Sequence, residues 1–197
     1  GNDAHWSNRE VNQPFFSVFN FDVTHESKIW LHRDKPLTVD PKKVPLPPYF
    51  PDTETVRNDV ARNYSNIELL DQMVGKLILE LKADNLFDNT YIFFFSDHGG
   101  PLPRGKRSHY ESGLKVPLLI RDPYVKSKIF VEEPVSFVDF APTILSLAGI
   151  SIPEHFQGIP FLGDKKSEKP RDYIFGSGDR FDDCLLYTSD AADDSGC

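Results

Sequence analysis

The sequence predicts an α/β fold with a mostly parallel sheet and helices on both of its faces. Short apolar runs that are typical of buried strands occur at residues 14–22, 91–96 and 116–120. A long segment with apolar residues at helical spacing separates the first two runs, at residues 53–83. Strands that alternate with helices along a chain generally pair in parallel, because each helix crosses back over the sheet.

Composition narrows the classes of protein to consider. The chain has 197 residues, 39% hydrophobic and 13% aromatic, which is enough to bury a core. Its formal net charge of -8 argues against general nucleic-acid binding. No run of about 18 apolar residues occurs, so we expect no membrane span. Cys184 and Cys197 are the only cysteines, which excludes a disulfide framework or a cysteine-metal cluster.

The first half of the chain is predicted to hold a strand, a loop and a helix. The strand is PFFSVFNFD (14–22), an aromatic and β-branched run bounded by Pro14. Six prolines preclude regular structure from Ile29 to Asp52, so we predict a long surface loop there. The helix at 53–83 carries charged residues on its other faces. Asn85 suits the left-handed conformation that ends such a helix.

The second half is predicted to hold two strands and a short helix. The run YIFFFS (91–96) is continuously apolar rather than alternating, which indicates a strand covered on both faces. A basic loop at 99–109 leads to the second run, VPLLI at 116–120. A helix is predicted near FAPTILSLA, with Pro142 in its first turn, where a missing N–H costs nothing, and Gly149 at its end.

Two metal-binding residue types follow the strand at 91–96. Ligands bind beyond the carboxyl ends of parallel strands, and Asp97 and His98 fall at that end. Both can bind a divalent cation, and Gly99 and Gly100 allow close backbone approach. On these residues alone, a turn that Asp97 caps and His98 packs against is an equally good interpretation.

A basic cluster follows within PLPRGKRSHYESG (101–113), and its members are Arg104, Lys106, Arg107 and His109. A metal ligand followed by cations on a glycine-containing loop suits a tetrahedral oxyanion, because metal and lysine neutralise its charge. Alone, a basic loop is more often a solvated surface feature. Its combination with Asp97 and His98 favours a site.

These motifs carry a resemblance to a known family. The similar segments are SDHGGPLPRGKRSHYESGLKVPLLIRDP, the preceding LDQMVGKLILELKADNLFDNTYIFF, and the later VSFVDFAPTILSLAGI and QGIPFL. Together they resemble the C-terminal part of the catalytic domain of type I, formylglycine-dependent sulfatases. The form GKRSHYESG is similar to that of bacterial glycan sulfatases of the heparan N-sulfatase-like branch. The resemblance implies a partial alkaline-phosphatase-like sandwich.

The resemblance also implies domain boundaries. We expect residues 1–183 to be the C-terminal part of a sulfatase catalytic domain, with the N-terminal part and its nucleophile missing. Residues 184–197, CLLYTSDAADDSGC, show no apolar periodicity and are mostly small or acidic. We expect them to be a non-native or disordered tail.

The resemblance assigns roles to four residues. In the family, the Asp of SD(H/N)G and the residue after it bind calcium; here these are Asp97 and His98. The lysine four positions before the Tyr-Glu pair contacts the sulfate, and here it is Lys106. The PFF...TH segment supplies a histidine to the sulfate or the leaving oxygen, which implies His25. Without the resemblance, His25 is more readily interpreted as a loop histidine.

The family mechanism needs a group that this sequence does not contain. A hydrated formylglycine, made from Cys or Ser in C/S-x-P-S-R, attacks sulfur, while calcium and lysine stabilise the charge and histidine assists the leaving group. No such motif occurs here, since Cys184 is followed by LLYT and Ser151 by IPEH. We expect one calcium site, completed by residues upstream of Gly1, and no sulfate ester hydrolysis by this polypeptide alone.

The expected function is therefore that of a sulfatase fragment. The parent enzyme would hydrolyse sulfate esters or N-sulfates of a carbohydrate with the help of calcium, in a periplasmic, secreted or lysosomal-type compartment. Two alternatives remain open. A phosphatase or phosphonate hydrolase of the same superfamily shares the DHG pair, because sulfate and phosphate share a shape. A non-catalytic binder of sulfated glycans would keep Lys106 and His25 but lack the nucleophile.

Overall fold

The computed structural model describes residues 5–169 and 171–176, so the predicted tail at 184–197, with Cys184 and Cys197, lies outside the described residues. The chain divides into two compact units, Gly1–Lys126 and Ser127–Cys197. The assignment of residues 1–183 to one catalytic-domain segment stays a prediction.

The described residues form four α-helices and two strands. The helices are α1 (Ser27–Leu31), α2 (Glu54–Ala83), α3 (Glu111–Leu114) and α4 (Phe140–Leu147), and the strands are β1 (Ile92–Phe95) and β2 (Leu118–Arg121). Single 3-10 turns lie at Trp6–Asn8, Pro41–Lys43, Phe87–Asn89 and Phe137–Asp139. Among the described residues, no helix is both long and apolar enough to cross a bilayer.

The predicted helices are confirmed, with their end signals. Thr53 caps α2, since its hydroxyl accepts a hydrogen bond from the Val56 N–H at 3.3 Å. Asn85 follows α2 with a left-handed φ of 57°. Pro142 lies in the first turn of α4, and Gly149 follows that helix with a φ of 68°.

The sheet differs from the prediction. β1 and β2 pair antiparallel, with Ile92 opposite Arg121 and Phe95 opposite Leu118. The segment between them contains only the four-residue helix α3, too short to carry the chain back along the sheet, so the second strand returns in the opposite direction. The strand predicted at 91–96, which corresponds to β1, was expected to be covered on both faces. That expectation is wrong for Phe95, which is 42% exposed.

The prediction of a strand at residues 14–22 is wrong, because the described structure has no strand there. A strand needs a neighbour to accept and donate its backbone hydrogen bonds, and no described strand lies beside this segment. Phe16 and Val18 are 70% and 65% exposed, so the apolar run also lacks a covering layer within the described residues.

The proline-rich loop packs on α2 and forms the core of the first unit. Val44 from the loop is buried against Val60 and Ala61 of the helix. Partly buried residues surround them, namely Leu37, Val39, Leu46, Phe50, Val56 and Leu102. Buried Arg62 donates hydrogen bonds to the backbone carbonyls of Arg33, Lys35 and Pro36 and so fixes the loop on the helix. Leu102 anchors the basic loop in the same core.

A buried carboxylate organises the second unit. Asp139 is 2% exposed and accepts hydrogen bonds from the N–H groups of Ser136 (2.9 Å) and Ile159 (2.7 Å). Arg171 donates two more from its guanidinium. The hydroxyl of Thr143 accepts from the Phe161 N–H at 3.0 Å, so the QGIPFL segment is held against α4 by side-chain oxygens.

Candidate active site

His25 and Glu26 lie in a turn that leads into α1. Val23 and Ile29, which are 6% and 9% exposed, anchor the turn on its two sides. The Lys28 N–H donates a hydrogen bond to the His25 carbonyl at 2.8 Å and closes the turn. The side chains of His25 and Glu26 are therefore presented from a fixed backbone.

The basic loop is closed on itself by backbone hydrogen bonds. The Gly99 N–H donates to the Gly113 carbonyl at 2.9 Å, and the Lys106 N–H donates to the Gly100 carbonyl at 2.8 Å. These bonds tie the backbone of Lys106 close to that of His98, two residues before Gly100.

Two arginines of this loop adopt the left-handed conformation. Arg104 and Arg107 have φ values of 65° and 66°, which cost about 1–2 kcal/mol each for residues with a Cβ. The Arg104 guanidinium lies over the rings of Tyr49 and Tyr110, 4.7 and 5.6 Å from their centroids. Arg107 instead contacts Glu26, as described next. The loop therefore sends its two arginines to different partners.

The structure brings together two of the residues named from the resemblance, although 81 positions separate them. The Lys106 ammonium nitrogen lies 3.2 Å from His25 Nε2. Lys106 also donates a hydrogen bond to Glu26 Oε1 at 3.3 Å. The Arg107 guanidinium donates to both carboxylate oxygens of Glu26, at 3.0 and 3.2 Å. Glu26 thus joins the two cations beside His25.

The Glu26 carboxylate is stabilised in its charged form. Burial acts to raise the pKa of Glu26, because its side chain is only 19% exposed. The hydrogen bond and charge of Lys106, followed by those of Arg107, outweigh burial and lower the pKa below its ordinary value. Glu26 is therefore an anion at neutral pH.

The proton of neutral His25 is set by its neighbours. The Lys106 ammonium can only donate, so His25 Nε2 accepts from it at 3.2 Å. In the neutral ring the proton is then on Nδ1, which donates to the Ser27 hydroxyl oxygen 2.9 Å away. The Ser27 backbone N–H lies farther from Nδ1, at 3.3 Å. An oxygen of an anion placed beside Lys106 could accept from its remaining N–H groups.

Asp97 and His98 present two lone pairs toward each other. The Nδ1 of His98 donates to the Gly99 carbonyl at 2.8 Å, which leaves Nε2 unprotonated in the neutral ring. That nitrogen lies 3.6 Å from Asp97 Oδ1, and the two side chains are 37% and 84% exposed. The pair fits two ligands of an incomplete cation site. No group of three or more His, Cys, Asp or Glu residues that could hold a metal occurs among the described residues.

Glu26 is the site residue that sequence reasoning missed. Its signal was weak, since an acid after a histidine in THES gives no hint of two cations 80 and 81 positions away. Arg104, which belonged to the predicted anion-binding cluster, stacks on tyrosines instead.

We expect Gly99→Ala to destabilise the first unit by about 1–3 kcal/mol, because the new methyl group has no room. A Cβ there would overlap the Ser112 carbonyl oxygen and approach the Gly113 Cα to 2.7 Å. Gly100→Ala is the matched control, since nothing lies within 4 Å of its Cβ position. Urea unfolding followed by the fluorescence of Trp6 and Trp30, both in this unit, measures the difference. Equal midpoints for the two variants would refute this packing.

Comparisons with known proteins agree with the resemblance. The Sulfatase family model matches residues 4–150, most of the chain. An ulvan-active sulfatase of Formosa agariphila is 41% identical over 216 residues, covering 91% of this chain and 36% of the relative. Human N-sulphoglucosamine sulphohydrolase is 31% identical over 163 residues, covering 77% of this chain and 32% of the relative. Bovine N-acetylglucosamine-6-sulfatase is 31% identical over 149 residues, covering 73% of this chain and 25% of the relative.

This chain spans about a quarter to a third of the length of these relatives. The family match confirms the resemblance that the DHG and GKRSHYESG motifs indicated. The chain belongs to the sulfatase family, and with it to the α/β class of folds.

Proposed function

We propose that this chain carries part of the active site of a calcium-assisted sulfatase that acts on a carbohydrate sulfate. The observation that carries the proposal is the contact between the Lys106 ammonium and His25 Nε2, which lie 3.2 Å apart although 81 positions separate the two residues. Sulfate oxygens are acceptors, and a cation beside them stabilises charge that develops in the transition state.

Each of the two residues then has a distinct role. Lys106 neutralises charge on the sulfate oxygens, and it is held in place by Glu26, whose carboxylate also accepts hydrogen bonds from Arg107. In its imidazolium form, His25 donates the Nε2 proton to the departing oxygen or nitrogen of the sugar as a general acid and is left as neutral imidazole. The proton on Nδ1 is held by the Ser27 hydroxyl oxygen, 2.9 Å away.

Asp97 and His98 are the residues that would hold the calcium ion. A bound cation polarises a sulfate oxygen and adds to the charge stabilisation that Lys106 provides. Calcium prefers carboxylate ligands such as Asp97. The hydrogen bond from His98 Nδ1 to the Gly99 carbonyl leaves His98 Nε2 unprotonated, 3.6 Å from Asp97 Oδ1. Calcium takes about 6–8 ligands, so residues outside this chain would complete the site.

The remaining parts of the reaction are proposed from the family. The formylglycine nucleophile and the largely parallel sheet would come from a segment that this sequence does not include. A sulfated carbohydrate is the substrate class that the names of the ulvan-active and glucosamine-acting relatives suggest. One relative from Drosophila melanogaster is named an extracellular sulfatase, in line with a secreted, periplasmic or lysosomal-type compartment.

Titration of the metal-free chain with methyl sulfate tests the proposal. The His25 ring signals are followed by NMR and assigned among the six histidines with a His25→Gln variant. We expect a saturable shift of the His25 signals and no release of inorganic sulfate, because the sequence contains no C/S-x-P-S-R motif. An unchanged His25 spectrum at saturating ligand, or turnover by the purified chain, would contradict the proposal.

A further inference from the structure

Glu26 has no role in the chemistry above beyond holding cations, yet it has a direct effect on the charge of the site. Lys106 and Arg107 contribute two positive charges, and the Glu26 carboxylate contacts both of them. The three side chains together leave one net positive charge.

We propose that Glu26 is a specificity-determining residue, which lowers the positive charge around Lys106 by one and so disfavours a doubly charged tetrahedral anion relative to a singly charged one. The inference rests on the proposed function. A sulfate ester carries one negative charge, whereas a phosphate ester carries close to two above its second pKa of about 6. The shapes of the two anions are alike, so charge is the property that can separate them.

The position of Glu26 makes the effect local. Its side chain is 19% exposed and that of Lys106 is 22% exposed, so solvent screens this pair only in part, whereas the Arg107 side chain is 51% exposed and is screened more. The Lys106 ammonium lies 3.3 Å from Glu26 Oε1, and a hydrogen bond to an anion adds about 2.8 Å, so an anion bound to Lys106 would lie at most about 6 Å from the Glu26 carboxylate oxygen. In water-like surroundings, one charge at this distance changes the binding of another by about threefold, and in a less polar site by more. A doubly charged anion feels this repulsion twice.

The test compares the affinities of methyl sulfate and methyl phosphate for the metal-free chain at about pH 8 and low ionic strength, again by the His25 signals. We expect Glu26→Gln to raise the ratio of phosphate to sulfate affinity by about threefold or more. Glu26→Asp keeps the charge and should keep the wild-type ratio, even if both ligands bind more weakly. Arg107→Gln removes a cation and should move the ratio in the opposite direction.

Asp34→Asn is the matched control, because it also removes one negative charge but from a side chain that is 92% exposed and paired with Arg33. We expect it to leave the ratio unchanged. If Glu26→Gln leaves the ratio unchanged while both ligands bind, or if Asp34→Asn shifts it equally, the specificity role is overturned and the proposed function stands. If neither ligand shifts His25 in the wild-type chain, the proposed function fails and the inference fails with it.

Discussion

Replacing Lys106 by methionine is expected to weaken the binding of methyl sulfate by about tenfold or more. The side chain keeps its length but loses the ammonium that lies 3.2 Å from His25 Nε2. Hydrogen bonds to charged groups contribute about 1.5–3 kcal/mol, and about 1.4 kcal/mol corresponds to a factor of ten. The measurement is the His25 NMR titration with methyl sulfate.

Lys43→Met is the control for this experiment. Lys43 is an exposed lysine of the proline-rich loop, so its removal changes the net charge of the chain by the same amount. We expect an effect within about twofold, because solvent and salt screen an exposed charge. Equal losses for Lys106→Met and Lys43→Met would show that sulfate responds to overall charge rather than to this site.

Replacing Asp139 by alanine is expected to destabilise the second unit by about 3–5 kcal/mol. The substitution leaves Arg171 without its carboxylate and removes the acceptor for the Ser136 and Ile159 N–H groups. Both tryptophans lie in the first unit, so hydrogen exchange at the Ile159 and Phe161 amides is the appropriate measurement. Strongly accelerated exchange is expected.

Asp164→Ala is the matched control, since Asp164 is an exposed acid of the same unit. Its effect is expected to stay within about 0.5 kcal/mol. Protection of Ile159 and Phe161 that is the same in the Asp139 and Asp164 variants would contradict the buried network.

The same carboxylate gives the second unit a defined acid sensitivity. Burial acts to raise the pKa of Asp139, but the hydrogen bonds from Arg171, Ile159 and Ser136 and the charge of Arg171 lower it below its ordinary value of 3.8. A group whose pKa is lowered on folding stabilises the fold above its unfolded pKa. This contribution is therefore complete above that value and is lost as the pH falls through the lower, folded one.

The helices could be predicted because their signals are local. The apolar spacing of α2 and the conformational preferences of Asn85 and Gly149 act within a few residues of where they occur. The sheet depends on partners far along the chain, so YIFFFS predicted a strand but not its antiparallel neighbour or its exposure. Residues 14–22 had the composition of a strand without a described partner to pair with.

The candidate site, like the sheet, depends on contacts between residues that are far apart in the sequence. Spacing alone could not place His25 beside Lys106 across 81 positions; only the family resemblance suggested that both serve one site. Glu26 escaped notice because its role exists only once Lys106 and Arg107 reach it. Arg104 was assigned to the anion-binding cluster from its position in the sequence, but its guanidinium stacks on the ring of Tyr49 in the proline-rich loop.

Sequencing the source DNA for several hundred bases upstream of the Gly1 codon tests most directly whether this chain holds part of a sulfatase active site. We expect an in-frame C/S-x-P-S-R motif there. A Thr or Ser nucleophile without that motif would instead indicate phosphoryl chemistry. A start codon directly beside Gly1 would contradict the proposed sulfatase function and leave a non-catalytic binder of sulfated glycans.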